Sequence, residues 1–132
     1  MVDEKEINRM VEGKKEGMWI EYYANGHKRR EGAFKLGKKE GKWILYHKNG
    51  VVQSEATFHE GLYTGYYCSY YENGKRFREG HYAEITGKSS DGRKEGVWYQ
   101  YLPDGETVQW QISYKRGRIV ERIEGGQGDQ SG

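Results

Sequence analysis

The sequence has a single cysteine and no long apolar run, and these two absences exclude several classes of protein. Because Cys68 has no second cysteine to pair with, an intrachain disulfide framework is excluded, and a reducing compartment such as the cytoplasm is expected. No run approaches the ~20 apolar residues that cross a bilayer. The first ten residues, MVDEKEINRM, are charged where a signal peptide is apolar, so the sequence predicts no export.

An excess of one charge sign is also missing. The chain has 22 basic and 20 acidic residues, which leave a formal net charge of +2. A sequence-independent nucleic-acid binder carries a clear basic excess. Nucleic acid is therefore not an expected partner.

Glycine and aromatic residues are abundant in this sequence, and aliphatic residues are scarce. The 132 residues include 20 glycines, 12 tyrosines, four tryptophans and three phenylalanines. Rings bury about 150–250 Å² each, so a few of them can hold a small sheet together without a core of Leu, Val and Ile. The glycines and the lack of a 3.6-residue apolar period exclude helix for most of the chain.

A 24-residue segment recurs along the chain. Its clearest copy reads GKKEGKWILYHKNGVVQSEATFHE and begins at Gly37. The copies cover 13–36, 37–60, 61–91 and 92–116, with partial copies at 7–12 and 117–124. A fixed period predicts a repeat array, here an all-β, elongated, twisted antiparallel meander of β-hairpins. We expect residues 1–124 to form one domain and the Gly/Gln/Ser-rich segment 125–132 to be disordered.

Two turn signals mark each copy. Asn25-Gly26 and its equivalents at 49–50, 73–74 and 104–105 predict tight type I′ hairpins, in which both central residues have positive φ. The second connection, GKKEG at 13–17 and its copies, indicates a longer glycine-bounded turn. Residues 85–91, ITGKSSD, interrupt the period and indicate an extended loop, for which a functional role and neutral length variation both remain open.

The segment 7–12 has two interpretations. Ile7, Met10 and Val11 lie at the spacing of a short helix. However, Met10 lies three residues before Gly13, as Phe34 lies three before Gly37. This match favours the back half of a truncated repeat, the kind of terminal cap that repeat arrays use.

The rings follow the same period. They form three sets: Trp19, Trp43, Tyr67 and Trp98; Tyr22, Tyr46, Tyr70 and Tyr101; and Phe34, Phe58, Tyr82 and Tyr114. Equivalent positions of successive hairpins lie about 9–10 Å apart, so we expect columns of rings in contact. The first two sets are offset by three residues. Either a bulge lies between them or both faces of the sheet carry aromatic side chains.

The pattern G-K-K-E-G-x-W-x-x-Y-x-x-N-G, which spans about 13–117, resembles the MORN repeat in its bacterial variant form. The resemblance implies a module without shared catalytic residues that acts in protein interaction, scaffolding or membrane association; related bacterial chains are described as antitoxin-like. The third copy departs from the pattern, with Leu62-Tyr63-Thr64 for Lys-Lys-Glu and Tyr67 for Trp. We therefore expect a less charged, more aromatic middle.

No residue pattern predicts catalysis, a metal or a cofactor. His27, His47, His59 and His81 occupy four different positions of the repeat, so they form no column. Cys68 lies in a predicted strand and is expected to pack as a small hydrophobe. The glycine turns lack the phosphate-loop pattern. The chain is therefore not expected to be an enzyme.

Two surfaces remain as binding candidates. The basic residues of the returning strands and of the turns are interrupted by acids, which indicates a solvated face with weak ion pairs or a weakly lipid-binding one. Tyrosine and tryptophan anchor many protein interfaces, although these rings alternatively pack only on one another. The candidate partner-binding residues are Tyr63, Tyr66, Tyr67, Tyr70, Tyr71, Trp43, Tyr46 and Trp98.

These surfaces favour a non-enzymatic protein-interaction module, of antitoxin or immunity type, that binds through an aromatic sheet face. The alternative is a membrane-surface or structural scaffold that acts through its basic rows, with weak affinity for anionic lipid. Open sheet edges also invite self-association into homo-oligomers.

Overall fold

The computed structural model describes residues 7–85 and 92–125 of the chain, and these form one antiparallel sheet of ten strands. Strands β1 to β10 are Arg9–Val11, Lys14–Tyr22, Lys28–Lys35, Lys38–Tyr46, Val52–His59, Leu62–Tyr70, Arg76–Tyr82, Lys94–Tyr101, Val108–Lys115 and Arg118–Glu124. Each strand pairs with the next one along the chain. The predicted all-β meander of hairpins is therefore confirmed.

Both ends of the array form strands. Met10 in β1 pairs with Lys15 in β2, so the helical interpretation of 7–12 is wrong, and the truncated repeat remains the prediction for this segment. Strand β10 pairs with β9. The predicted loop at 85–91 and the predicted disordered tail lie outside the described residues, apart from Ile85 and Gly125.

The tight two-residue turns lie in the connection for which the sequence suggested a longer turn. Leu36 and Gly37 have φ of 52° and 82° and join the paired residues Lys35 and Lys38, as in a type I′ hairpin. Glu12-Gly13, Glu60-Gly61 and Arg116-Gly117 likewise have positive φ at both positions. The expectation of a long GKKEG turn is wrong because β4 already begins at Lys38.

The Asn-Gly turns are not of type I′, contrary to the prediction. Gly26 has a φ of 93°, whereas the φ of Asn25 is not positive. The Gly26 N–H donates to the Tyr23 carbonyl at 3.0 Å, and the His27 N–H donates to Asn25 Oδ1 at 3.0 Å. This side-chain bond fixes the turn locally, so the asparagine itself does not need left-handed backbone.

A wide bulge interrupts the strand pairing near the start of β4, β6 and β8. Glu31 pairs with Ile44 and Ala33 with Glu40, so that Gly32 alone faces the three residues 41–43. The same pattern recurs where Ala56 faces 65–67 and where Gly80 faces 96–98. Gly41, with φ of 76°, provides the left-handed residue of its bulge. The bulge carries the Trp43 ring across Gly32, where a Cβ would lie 2.2 Å from the ring.

One face of the sheet, here called the aromatic face, carries a continuous row of rings. The row comprises Trp19, Phe34, Trp43, Phe58, Tyr63, Tyr67, Tyr82, Trp98 and Tyr114. Trp43 is fully buried and Trp98 is 3% exposed. Because one sheet has no second layer to cover it, these rings form the core by packing on one another and on small residues beneath them.

The opposite face also carries tyrosines. The Tyr46 hydroxyl donates to Glu31 Oε2 at 2.8 Å, and Glu31 is the neighbour of Gly32, which lies under Trp43. Adjacent residues of a strand point to opposite faces. The pairing of β4 with β5 shifts register between Leu45 and Tyr46, where Gln53 is the extra residue of β5. The two interpretations of the three-residue offset therefore both hold, since a bulge lies between Trp43 and Tyr46 and both faces carry aromatic side chains.

Candidate functional site

A groove of about 730 Å³ opens on the aromatic face between β4 and β7. It is called the central groove here. Its lining includes Lys39, Leu45, His47, Gln53, Ser54, Ala56, Phe58, Tyr63, Tyr67, Ser69, Tyr71, Glu72, Phe77 and Arg78. This volume lies within the range of pockets that bind small molecules or peptide side chains.

The groove exists because two small residues meet at its floor. Ser54 in β5 pairs with Ser69 in β6, and both are buried. The positions equivalent to Ser54 in the other copies carry Arg30, Arg78 and Trp110, and those equivalent to Ser69 carry Glu21, Leu45 and Gln100. Long side chains fill the sheet surface elsewhere, and a pair of serines leaves it open here.

The groove extends to both sides. A depression of about 420 Å³ shares Leu45 and Gln53 with it and is lined further by Glu21, Tyr23, Arg29 and Arg30. A smaller one of about 120 Å³ shares Arg78 and reaches Lys94, Trp98 and Tyr114. The three depressions follow one another across the strands, so a chain segment laid perpendicular to the strands would meet all of them.

Lysine amines lie on the rings beside the groove. Lys39 Nζ is 4.9 Å from the Trp43 ring centroid and 5.0 Å from that of Phe58. Lys15 and Lys94 occupy the same place on their own rings. Burial lowers the pKa of Lys39, and the nearby Arg30 and Lys15 lower it further. The Lys39 amine thus lies in a partly buried environment close to other cations.

In the third copy a ring replaces the amine. Tyr63 stacks on Tyr82 with 4.5 Å between centroids and 11° between planes, and it lies 4.5 Å from Phe58. Tyr63 is 38% exposed, and burial, followed by the nearby Tyr67, raises the pKa of its hydroxyl. The expected aromatic middle of the array is therefore present, and Tyr63 forms part of the groove wall.

The opposite face carries a hydrogen-bonded network rather than a reactive site. Glu79 accepts bonds from Tyr66 at 2.7 Å, Tyr101 at 2.5 Å and Arg76 at 3.0 Å. Burial acts to raise the pKa of Glu79, but these donors outweigh it and hold the pKa below its ordinary value. Burial raises the pKa of the Cys68 thiol, so the thiol stays protonated and unreactive.

The structure divides the predicted binding residues among three places. Tyr63, Tyr67, Tyr70 and Tyr71 line the central groove, and the Tyr70 carbonyl is bonded to His47 Nε2 at 2.8 Å. Tyr46 and Tyr66 lie on the opposite face, where their hydroxyls donate to Glu31 and Glu79. Trp43 and Trp98 are core residues that expose almost no area. The eight residues therefore do not form one surface.

The basic residues of the turns are split in the same way. Lys14, Lys38 and Arg93 are exposed, whereas Lys15, Lys39 and Lys94 lie on the rings. On the returning strands Lys28 and Arg76 form ion pairs with Glu31 and Glu79. Exposed pairs of this kind contribute about 0–1 kcal/mol each.

Several groove residues escaped the reasoning from sequence, namely His47, Ser54, Ser69, Phe77 and Arg78. The available signal was the difference between copies rather than their likeness. Serine stands at two positions where the other copies carry large or charged side chains. Aligning the copies position by position would have located the floor of the groove.

Comparison with protein families supports the repeat assignment. The family model of the MORN repeat variant matches three segments in direct succession, residues 15–36, 39–60 and 61–84. The chain belongs to the MORN-repeat family. MORN repeats form a non-catalytic repeat module associated with protein or membrane-surface binding. A comparison with curated proteins found no match.

The central groove lies within the second and third MORN repeats. The fourth, at 92–116, is outside the matched segments, yet its strands pair in the same register, with Trp98 opposite Ile112 as Trp43 is opposite Ala56. In residues 7–85 and 92–125 no group of three or more His, Cys, Asp or Glu side chains could hold a metal ion. No helix in that part of the chain has the length and apolarity to cross a bilayer.

Proposed function

We propose that this MORN-repeat protein is a non-enzymatic protein-binding module and that its partner docks in the central groove. The observation that carries the proposal is the groove itself, with a floor of two serines and walls that include Tyr63, Tyr67 and Tyr71. Tyrosine rings combine a large apolar area with a hydroxyl and are enriched at the anchors of protein interfaces. Their stacking in the array holds them in place before binding, which reduces the entropy cost of association.

An antitoxin or immunity role in the cytoplasm is the finer form of this proposal. It is supported by the likeness to bacterial variant repeats and by the single cysteine, Cys68, which suits a reducing compartment. In that role the groove would hold a segment of a toxin. A partner that is toxic when produced alone, and harmless with this chain, would support it.

The test fills the groove with a side chain that the array already accepts. Ser54→Arg places an arginine where the first and third copies carry Arg30 and Arg78, so the fold should tolerate it. We expect affinity capture from the source cells to recover a protein with the unaltered chain and to lose it with Ser54→Arg. Lys14→Ala together with Lys38→Ala, at exposed turn positions, serves as the matched control and should retain the partner.

Two results would contradict the proposal. One is equal recovery of the partner by the Ser54→Arg variant when that variant is as stable as the unaltered chain in urea denaturation. The other is loss of the partner with the lysine variants alone. Either result would place the binding surface outside the groove.

A membrane-surface scaffold is the second candidate, and one observation favours it. Lys14, Lys35 and Lys38 line a shallow depression at the turns together with Leu36, which is 65% exposed. Basic residues near an anionic surface gain about 1 kcal/mol each, but Glu40 and Glu60 in the same depression reduce this attraction. Salt-sensitive binding to phosphatidylserine vesicles that is lost in Lys14→Ala/Lys38→Ala, and retained in Tyr67→Ala and Tyr70→Ala, would favour the scaffold.

A further inference from the structure

The near-neutral net charge of the chain conceals a group of cations on the aromatic face. The cations Lys15, Arg30, Lys39 and Lys94 lie over rings of the aromatic face, and Arg78 lines the central groove. On the opposite face Glu31, Glu55 and Glu79 are each paired with a cation, namely Lys28, Lys42 and Arg76. On the aromatic face Glu21 pairs with Arg30 and Glu72 lines the central groove, so the cations named here outnumber these carboxylates, which favours an anionic ligand.

Two arginines mark the ends of the path formed by the central groove and the depression that joins it at Leu45 and Gln53. Arg78 lines the groove and also the smaller depression beyond it. Arg30 lines the depression on the other side, which joins the groove at Leu45 and Gln53. Both arginines occupy the same position of the repeat, with Ser54 at the equivalent position between them.

Among the described residues, the arginine at one end forms no ion pair with a carboxylate. Arg78 donates to the neutral Gln100 Oε1 at 2.8 Å and lies 4.9 Å from the Phe77 ring centroid; no carboxylate in the described ranges forms an ion pair with it. Arg30 is held by Glu21 at 2.8 Å. A guanidinium offers five donors, so both can still receive a carboxylate in a charge-assisted bond.

The distance between the arginines sets the length of the ligand. They lie on β3 and β7, four strand spacings apart, which corresponds to about 19 Å in a sheet with its ordinary spacing. An extended peptide rises about 3.3 Å per residue, so residues i and i+6 are about 20 Å apart. A peptide that crosses the strands along the groove can therefore place one side chain at each arginine.

The residues between the arginines determine what the middle of the ligand must be. Ser54 and Ser69 form a narrow floor, and Leu45, Phe58 and Tyr67 line it with apolar atoms. A large apolar side chain would fill this space and remove the exposed ring edges from water.

From this geometry, and on the basis of the proposed function, we infer that the central groove binds an extended acidic segment of the partner protein. The segment spans about seven residues, with a carboxylate near each end and an apolar side chain at its centre. The carboxylates pair with Arg30 and Arg78, and the apolar side chain occupies the space over the two serines.

The test uses fluorescein-labelled seven-residue peptides and the full chain in an anisotropy titration. One peptide carries Glu at positions 1 and 7 and Leu at position 4 among Ser and Ala; a second carries Gln at both ends, and a third Lys. We expect the Glu peptide to bind about tenfold more tightly than the Gln peptide and the Lys peptide not to bind, since charge-assisted bonds are about twice as strong as neutral ones. Raising the salt concentration should lower the affinity for the Glu peptide only.

Two variants link the effect to the groove. Arg78→Gln removes the charge but keeps a long polar side chain beside Gln100. It should lower the affinity for the Glu peptide about tenfold and leave the affinity for the Gln peptide unchanged. Lys42→Gln removes a cation of the opposite face, one that is paired with Glu55, and should change neither. Ser54→Arg should abolish binding of both peptides.

The outcomes separate this inference from the proposed function. If Glu and Gln peptides bind equally and both are lost with Ser54→Arg, the groove remains the docking site and the acidic character is wrong. If no peptide binds, the inference is wrong, while partner capture with Ser54→Arg still decides the proposed function. Binding of phosphatidylserine vesicles that is lost in Arg78→Gln, without binding of any peptide, would assign the cations to lipid and overturn the inference.

Discussion

At the scale of single residues, the size of the side chain beneath each ring matches the ring above it. Gly32 lies under Trp43 and Gly80 under Trp98, with no space for a Cβ in either case. In the second copy Ala56 occupies this place, and the ring of the next copy is the smaller Tyr67. Packing at interior density therefore couples two positions on neighbouring copies.

The first prediction tests this coupling. Gly32→Ala should lower the free energy of unfolding by about 1–3 kcal/mol, because an added methyl group in a packed core forces neighbouring groups to move. Adding Trp43→Tyr should recover part of the loss, since the pair then matches Ala56 and Tyr67. Urea denaturation of the two single variants and the double variant gives the coupling energy. Strictly additive effects would contradict the pairing, and Thr57→Ala, at an exposed strand position, serves as the control.

Tyrosine hydroxyls bonded to carboxylates also couple the copies. Tyr46 donates to Glu31 and Tyr101 to Glu79. Burial, and after it these carboxylates, raise the pKa of Tyr46 to about 12 and that of Tyr101 to about 12. The folded state therefore keeps these protons at pH values at which an unfolded tyrosine, with an ordinary pKa of about 10, loses them.

The second prediction concerns alkaline pH. The contribution of Tyr46 and Tyr101 is fully present below about pH 10 and is lost as the pH rises from about 10 to 12, because the unfolded chain releases protons that the folded chain retains. We expect the urea midpoint to fall across this range, and less steeply in Tyr101→Phe. Absorbance at the tyrosinate band in native buffer and in urea should show late ionisation only in the folded protein. Identical titration curves in the two solvents would refute this explanation.

At the scale of elements, the Asn-Gly turns form a ladder that joins one hairpin to the next. Asn25, Asn49 and Asn73 donate through Nδ2 to the carbonyls of Lys48, Glu72 and Pro103. The fourth turn carries Asp104, whose carboxylate accepts bonds from Glu106 and Thr107 within the turn. Asn provides both an acceptor for its own turn and a donor for the next one, whereas Asp provides only the acceptor.

The third prediction separates these two roles. Asn49→Asp keeps the acceptor for the Val51 N–H but removes the donor to Glu72, so it should lower the free energy of unfolding by about 0.5–1.5 kcal/mol. Asp104→Asn, the reciprocal change, should have a smaller effect because the described residues place no further turn beside it. Thermal unfolding of the two variants provides the comparison. Equal destabilisation by both would show that the ladder bond contributes nothing.

At the scale of the whole molecule, none of the described residues covers the last strand of the open sheet. All seven residues of β10 are exposed, and its apolar residues include Val120 at 62% exposure. The pairing of β10 with β9 shifts register between Ile119 and Glu121, and charged residues flank this bulge. Bulges and charges are features that limit edge-to-edge pairing, so self-association through β10 is expected to be weak.

The fourth prediction follows from this edge. Val120→Lys should lower the concentration-dependent association seen in sedimentation velocity, because a charge on an edge strand disfavours pairing with a second chain. The free energy of unfolding should stay within about 0.5 kcal/mol of the unaltered value, as for other surface changes. A chain that is monomeric at every concentration, or whose association is unchanged by the substitution, would contradict the role of this edge.

The sequence by itself determined the fold, because the fold depends on short-range sequence patterns that recur in successive copies of the repeat. The 24-residue period, the glycine turns and the alternation of rings specify hairpins that pair with their sequence neighbours. The sequence also identified the third copy as the aromatic one, through Tyr63 and Tyr67. The outer limits of the domain and the role of the aromatic residues in binding remain predictions.

Only the tertiary structure decided which turn is tight, which face each ring occupies and where a groove opens. The type I′ turn forms at Leu36-Gly37 because Gly41, further along, lies in a bulge. The position of that bulge is set by pairing with the neighbouring strand. The groove depends on Ser54 and Ser69 lying opposite each other. They lie on two different strands, and the local sequence does not specify how those strands pair. Register and bulges are properties of two strands together, which is the physical reason that inspection of one copy could not supply them.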